Sequence, residues 1–193
     1  MDKRLKRYFF KKHPKFVAEK LLGKYLIINT EEGKIVTKIV ETEAYGGKED
    51  LGCHVGRFGF NQRTAILFGK VGCAYIYPVH INTYCLNVVC HRKNEAGGIL
   101  IRALEPIKGM DLILKNLKKT NFDIYKLLNG PGKVCRALKI DKSLNGQDLI
   151  GGKKFYLTKG EIIDKKRILK TPRINIPYAG ISKNWKWRFV IKD

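Results

Sequence analysis

An α+β fold resting mainly on antiparallel strands is what this sequence predicts, and three observations carry the expectation. Apolar residues alternate at period two in several short runs, two of these runs are joined by a turn of hairpin length, and the segments with helical periodicity are few and short. In chain order, His13 and Pro14 open a helical pattern in which Phe16, Val17, Leu21 and Leu22 share one face, with Gly23 placed to end it. From Lys24 the period changes. KYLIIN, a turn at TEEGK and then IVTKIVETEAY read as a hairpin of two strands. Further strands are expected at Cys73 to Val79, Tyr84 to Cys90, Gly98 to Ala103, Lys154 to Thr158 and Trp187 to Ile191. Helices are expected at Ile107 to Leu117 and from about Gly130 to Leu138, where Pro131 suits a first turn.

The chain has 193 residues, no internal repeat and no Pro/Gly/Ser-rich linker, so residues 1–193 are expected to form a single domain. With 44% hydrophobic residues it has the material for a core, which sets it apart from disordered chains of similar charge. The 39 Lys and Arg against 17 Asp and Glu leave a net charge of +22 and point to a polyanionic partner. Residues 1–20 hold eight Lys/Arg against two acids and residues 151–193 twelve against three, so both ends are cationic. Five cysteines with no CxxC and no Cys/His cluster argue against a disulfide framework and a structural zinc. No run reaches membrane-spanning length and no signal peptide is recognisable. The expected location is therefore the cytoplasm, free or on the nucleoid, with reduced thiols and no membrane partner.

The most unusual segment is Ile39 to Tyr45. Read as a regular strand, it puts Ile39, Glu41, Glu43 and Tyr45 on one face and Val40, Thr42 and Ala44 on the other. Two carboxylates inside an apolar strand require either ion pairing or acid–base work in a cleft. The glycine-rich loop that follows, Gly46 to His54, matches no phosphate-binding signature, and His54 alone reads as a structural histidine. Tyr75 to His80 and Tyr84 to Cys90 form a candidate hairpin with a tip stiffened by Pro78, whose tyrosines are either core or a stacking platform for a base. Arg102 interrupts the apolar run Ile99 to Pro106; a buried guanidinium is costly unless paired, and Glu41 or Glu43 is its most economical partner. Gly130 to Lys133 precedes a helix and has the composition of a phosphate contact.

Taken in order, VETEAY, His54, an aromatic YxY strand, Asn87, LIRALEP, GPGK and PRIxIxYAG resemble the alkyladenine (3-methyladenine) DNA glycosylase family, over about residues 17 to 189. The resemblance implies a mostly antiparallel curved sheet with flanking helices and a protruding β-hairpin. It implies a base-excision-repair enzyme that flips a damaged purine (3-methyladenine, 7-methylguanine or hypoxanthine) out of double-stranded DNA and hydrolyses its N-glycosidic bond. Glu43 would activate a water, Arg102 and the Ile174 carbonyl would help hold it, Tyr45 and Tyr77 would stack on the base, and His54 and Asn87 would select it. His80, Lys133 and Arg173 are the expected DNA contacts. No metal or organic cofactor is expected, nor any obligate protein partner, and a monomer suffices.

The sequence departs from the family pattern in places. His80 stands where the family usually intercalates a tyrosine, followed by Ile81, Asn82 and Thr83 in place of Gly-Met-Tyr; Asn61 to Ala65 keeps only Arg63 of a Thr-x-Arg-Asn pattern; Asn175 replaces a glycine; and Tyr178 stands where some relatives have histidine. Three other readings compete: a non-enzymatic nucleic-acid binder, which leaves Glu43 unexplained; a lyase acting through a lysine Schiff base; and an inert family member.

Overall fold

A computed structural model describes residues 3–120 and 122–192. It is an α+β arrangement around one eight-stranded sheet in which every pairing is antiparallel, with order β3-β4-β5-β2-β1-β6 and with β8 pairing β2 and β7. The strands are β1 (Tyr25–Thr30), β2 (Gly33–Tyr45), β3 (Ala74–His80), β4 (Thr83–Val89), β5 (Gly98–Lys108), β6 (Phe155–Thr158), β7 (Ile168–Thr171) and β8 (Arg188–Ile191). The helices are α1 (Pro14–Leu21), α2 (His54–Phe58), α3 (Met110–Leu117), α4 (Ile124–Leu127) and α5 (Pro131–Ala137). β2 is the spine: its first half pairs with β1, its second half with β8, and its other edge with β5 throughout, which curls the sheet into a half-barrel.

The main core runs through Leu21, Leu26, Ile39, Ile99, Ile101, Val134 and Phe189, joining α1 and α5 to one sheet face. A smaller cluster that includes Cys53, Val55, Leu67, Tyr75 and Val89 packs under the opposite face. Each of the five cysteines is free and buried. No helix among the described residues is long and apolar enough to cross a membrane.

Three expectations change. Ile39 and Glu41 pair with Leu104 and Ala103, so Val40 is an extra residue on β2; Glu41 and Thr42 pair with Ala103 and Ile101, so Arg102 is an extra residue on β5. These facing bulges reset the alternation. Ile39 therefore lies with Ala44 in the main core, away from Glu41, Glu43 and Tyr45. Phe16 is 55% exposed, because α1 buries the stripe Val17, Ala18 and Leu21 instead. The helix expected from Ile107 starts at Met110, since β5 continues to Lys108 and Gly109, at φ +83°, makes the break.

Candidate active site

The bulges aim two strands' worth of charge at one place. Thr42 turns into the core, where its hydroxyl donates to the Ala18 carbonyl of α1 at 2.9 Å. Its neighbours Glu41 and Glu43 consequently face the other way. The extra residue on β5 brings the Arg102 side chain across to both: Nε donates to Glu41 Oε1 at 2.9 Å and Nη1 to Glu43 Oε2 at 3.4 Å. Arg188 on β8 adds a second guanidinium to Glu41 Oε1 at 2.5 Å. Glu41 is thus an ion-pair partner for two arginines.

Glu43 is held differently. Its side chain is wholly buried, with Oε1 accepting from the Ile174 backbone N–H at 2.8 Å and Oε2 from the Tyr45 hydroxyl at 2.8 Å. A carboxylate offers about four acceptor positions and three are filled, so one remains for a water. Burial pushes the Glu43 carboxyl above its ordinary range, and the Arg102 charge, the Ile174 N–H and the Tyr45 hydroxyl pull it back only in part. A carboxylate in this state is a stronger proton acceptor than one in water.

A cavity of about 480 Å³ opens in front of it, lined by Tyr45, His54, Tyr77, Asn87, Arg102 and Ile174 among others. This is an ordinary size for a small-ligand site. Tyr77 and His54 meet edge to face with ring centroids 4.6 Å apart. Burial, with the charges of Arg63 and Arg57, lowers the His54 pKa to about 4, so the ring is neutral at pH 7. Its Nδ1 lies 2.7 Å from the Tyr75 hydroxyl. A neutral imidazole has one donor and one acceptor nitrogen, and the Tyr75 hydroxyl partners Nδ1 in either tautomer. Asn87 pairs across the hairpin with Tyr75 and donates to its carbonyl at 3.3 Å.

A family model described as methylpurine-DNA glycosylase (MPG) matches residues 8–193. The chain belongs to the methylpurine-DNA glycosylase family. Relatives named "Putative 3-methyladenine DNA glycosylase" include one from Desulfitobacterium hafniense, 39% identical over 99% of this chain and 96% of its own length. Another, from Carboxydothermus hydrogenoformans, is 41% identical over 98% and 95%, and a third, from Natranaerobius thermophilus, is 38% identical over 96% and 93%.

In this member of the glycosylase family the six residues expected at the catalytic and base-binding positions, Glu43, Arg102, Tyr45, His54, Tyr77 and Asn87, come together around one cavity or directly behind it. Of the three expected DNA contacts, only His80 lies among the residues lining that cavity. His80 lines the cavity's rim and pairs with Thr83, while the hairpin apex is Ile81, 91% exposed, beside Asn82 at φ +55°. Lys133 is exposed, but its ammonium donates to the Asn129 side chain at 2.6 Å and the Lys126 carbonyl at 3.1 Å.

Arg173 lies inside the protein. Its side chain and that of Asp50 are both 0% exposed, joined by two bonds of 2.5 and 2.7 Å, and the guanidinium also donates to the carbonyls of Ala44 and Ser182. Its hydrogen bonds therefore go to protein partners. This buried pair is what sequence reasoning missed, along with Tyr75 as the partner of His54 and Arg188 as the partner of Glu41. The available signal was an Asp five residues beyond Tyr45 in a chain where buried acids have many cations to choose from.

Proposed function

We propose that this glycosylase flips a damaged purine out of duplex DNA, sandwiches it between Tyr45 and Tyr77, and hydrolyses its glycosidic bond with a water activated by Glu43. The observation that carries the reading is a fully buried carboxylate whose three hydrogen-bond partners, Tyr45, Arg102 and Ile174, line an aromatic cavity, with a fourth acceptor position unfilled. As the bond to the sugar C1′ lengthens, positive charge builds on the sugar. Glu43 faces that charge, takes the proton of the attacking water and leaves Arg102 balanced by Glu41. The Ile174 carbonyl is the natural third contact for the water, since its own peptide neighbour already holds Glu43. His54, neutral at pH 7 and held by Tyr75, is proposed to hydrogen-bond the edge of the base, and Asn87 to turn away a 2-amino group.

No lysine lines the cavity among the described residues, which favours water over an amine nucleophile. The test is single-turnover release of 3-methyladenine and hypoxanthine from a lesion-bearing duplex in EDTA, with borohydride added in parallel. Free base without a covalent protein–DNA adduct is expected. A trapped adduct would replace water by a Schiff base, and loss of release in EDTA would bring in a metal.

The chain is proposed to act as one domain and as a monomer on cellular DNA. Its hairpin apex supplies a further expectation, since apolar side chains wedge readily between base steps. Ile81→Gly is expected to slow excision from duplex at least fivefold while leaving excision from single-stranded DNA within twofold. If instead only replacement of His80 changes the duplex-to-single-strand ratio, the wedge is the histidine.

A further inference from the structure

On the sheet face opposite the active site lies a second concavity, about 690 Å³, whose chemistry the excision reaction does not use. Its walls are α1 with the segment before it, Arg92, and the edge formed by Lys165 and Lys170. Its placement follows from the strand register. Lys170 on β7 sits opposite Phe189 of β8, which in turn pairs with Thr42. Phe189 and Thr42 belong to the face that α1 covers, whereas Glu41, Glu43 and Arg188 belong to the active-site face.

The charge there is one-sided. Lys11, Lys12, Lys20, Arg92, Lys165 and Lys170 surround the concavity, and the single acid among its lining residues, Glu19, is paired with Lys170 at 2.8 Å. Lys11, Lys12, Lys20 and Lys165 are exposed and form no ion pair with any described residue. Six cations converging on a groove, four of them unpaired, raise the local potential far above that of a mixed surface and fit a row of phosphates. Phe16, exposed at the same place beside His13, adds an aromatic surface.

We propose that this groove is a second duplex-binding face, so that the protein holds an undamaged DNA segment behind it while the active site engages another. A short duplex seated at the active site does not reach this groove, because DNA stays stiff over about 150 base pairs and the two surfaces lie on opposite sides of the sheet. The occupant is therefore a separate segment. Holding two segments lets the protein pass from one to the other without entering free solution, which suits a search for rare lesions.

The test saturates the protein with an uncleavable lesion-bearing duplex of about 15 base pairs and titrates in a differently labelled undamaged duplex at low salt. The native protein is expected to form a complex with both duplexes. Its departure from the first should accelerate as the second is raised. The variant Lys11→Gln, Lys12→Gln, Lys20→Gln, Lys165→Gln should bind the second duplex at least tenfold more weakly, with a log–log salt slope shallower by about 3 to 4. Its single-turnover excision from the short duplex should stay within twofold of native.

A control with Lys119, Lys142, Lys153 and Lys154 changed to Gln carries the same charge loss away from the groove and should keep the second duplex. Absence of a two-duplex complex with native protein overturns the proposal, as does an equal loss in the control, which would mean diffuse surface charge. Tighter groove-dependent binding of RNA or of anionic vesicles than of duplex overturns the choice of DNA as occupant. Failure of excision by the native protein would count against the catalytic reading instead, and leaves the two-duplex measurement readable.

Discussion

Glu43→Gln is expected to lower the single-turnover rate of hypoxanthine release by two or more orders of magnitude while duplex affinity stays within about twofold. A positioned general base contributes about 10²- to 10⁴-fold, and a hundredfold is about 2.7 kcal/mol of barrier. Glutamine fills the same volume and its oxygen still accepts from the Ile174 N–H. Its amide nitrogen then faces the Tyr45 hydroxyl, which can turn to accept, and Arg102 keeps Glu41. The variant should therefore fold and flip the base, but it cannot take a proton from water. A rate within fivefold of native, in protein that binds DNA normally, would remove Glu43 from the chemistry.

The same carboxylate sets the pH dependence. Glu43 must be ionised to act, and its folded pKa is raised, so the excision rate should fall on acidification with a midpoint above that of an ordinary glutamate. His54, at about 4, stays neutral across that range and contributes no inflection above pH 5. The stability effects have opposite signs. The folded state holds the Glu43 proton more tightly than the unfolded chain, so that contribution is present at low pH and is lost as pH rises through the folded pKa. For His54 the unfolded chain binds the proton better, so its contribution is lost as pH falls from about 6.5 toward 4. A Glu43→Gln profile that keeps the native acidic limb would assign that limb to another group.

The strands were legible because alternation survives wherever pairing is regular, as in β1 with the first half of β2. The alternation misled at Ile39 because a bulge leaves no mark in composition: Val40 and Arg102 look like ordinary strand residues, and only pairing shows that each is supernumerary. Strand β7 and the helices α2 and α4, four or five residues long, were not expected from the sequence; in β7 only Ile168 is buried, so no alternating pattern marks it. The six cavity residues were legible through the order of their motifs along the chain. The partners that hold them were not. Arg188, Tyr75 and Asp50 lie 147, 21 and 123 residues from the groups they bind, and of these only Asp50, an acid just past Tyr45, leaves a local trace.

Arg173 is where that difference has its largest energetic consequence. Arg173→Ala is expected to destabilise the protein by about 3–5 kcal/mol, measured by urea unfolding, because it strands the Asp50 carboxylate in a dry interior. Asp50 also accepts from the backbone N–H groups of Gly46 and Gly52, so the pair anchors the loop that follows Tyr45. The guanidinium reaches back to the Ala44 carbonyl, between Glu43 and Tyr45, and its own residue adjoins Ile174, whose N–H holds Glu43. The loss therefore loosens Glu43 from both sides. Arg173→Lys should cost nearly as much, since a single ammonium cannot replace two parallel bonds to Asp50. A phosphate contact would behave in the opposite way, with stability unchanged and the salt slope of DNA binding reduced by about one. Replacing both partners by apolar residues, as in Arg173→Met with Asp50→Leu, should recover much of the lost stability, because the stranded charge is what makes the single change so costly. Excision should stay impaired in that double variant, since methionine offers no donor to the Ala44 carbonyl, and this separates the pair's contribution to the site from its contribution to folding.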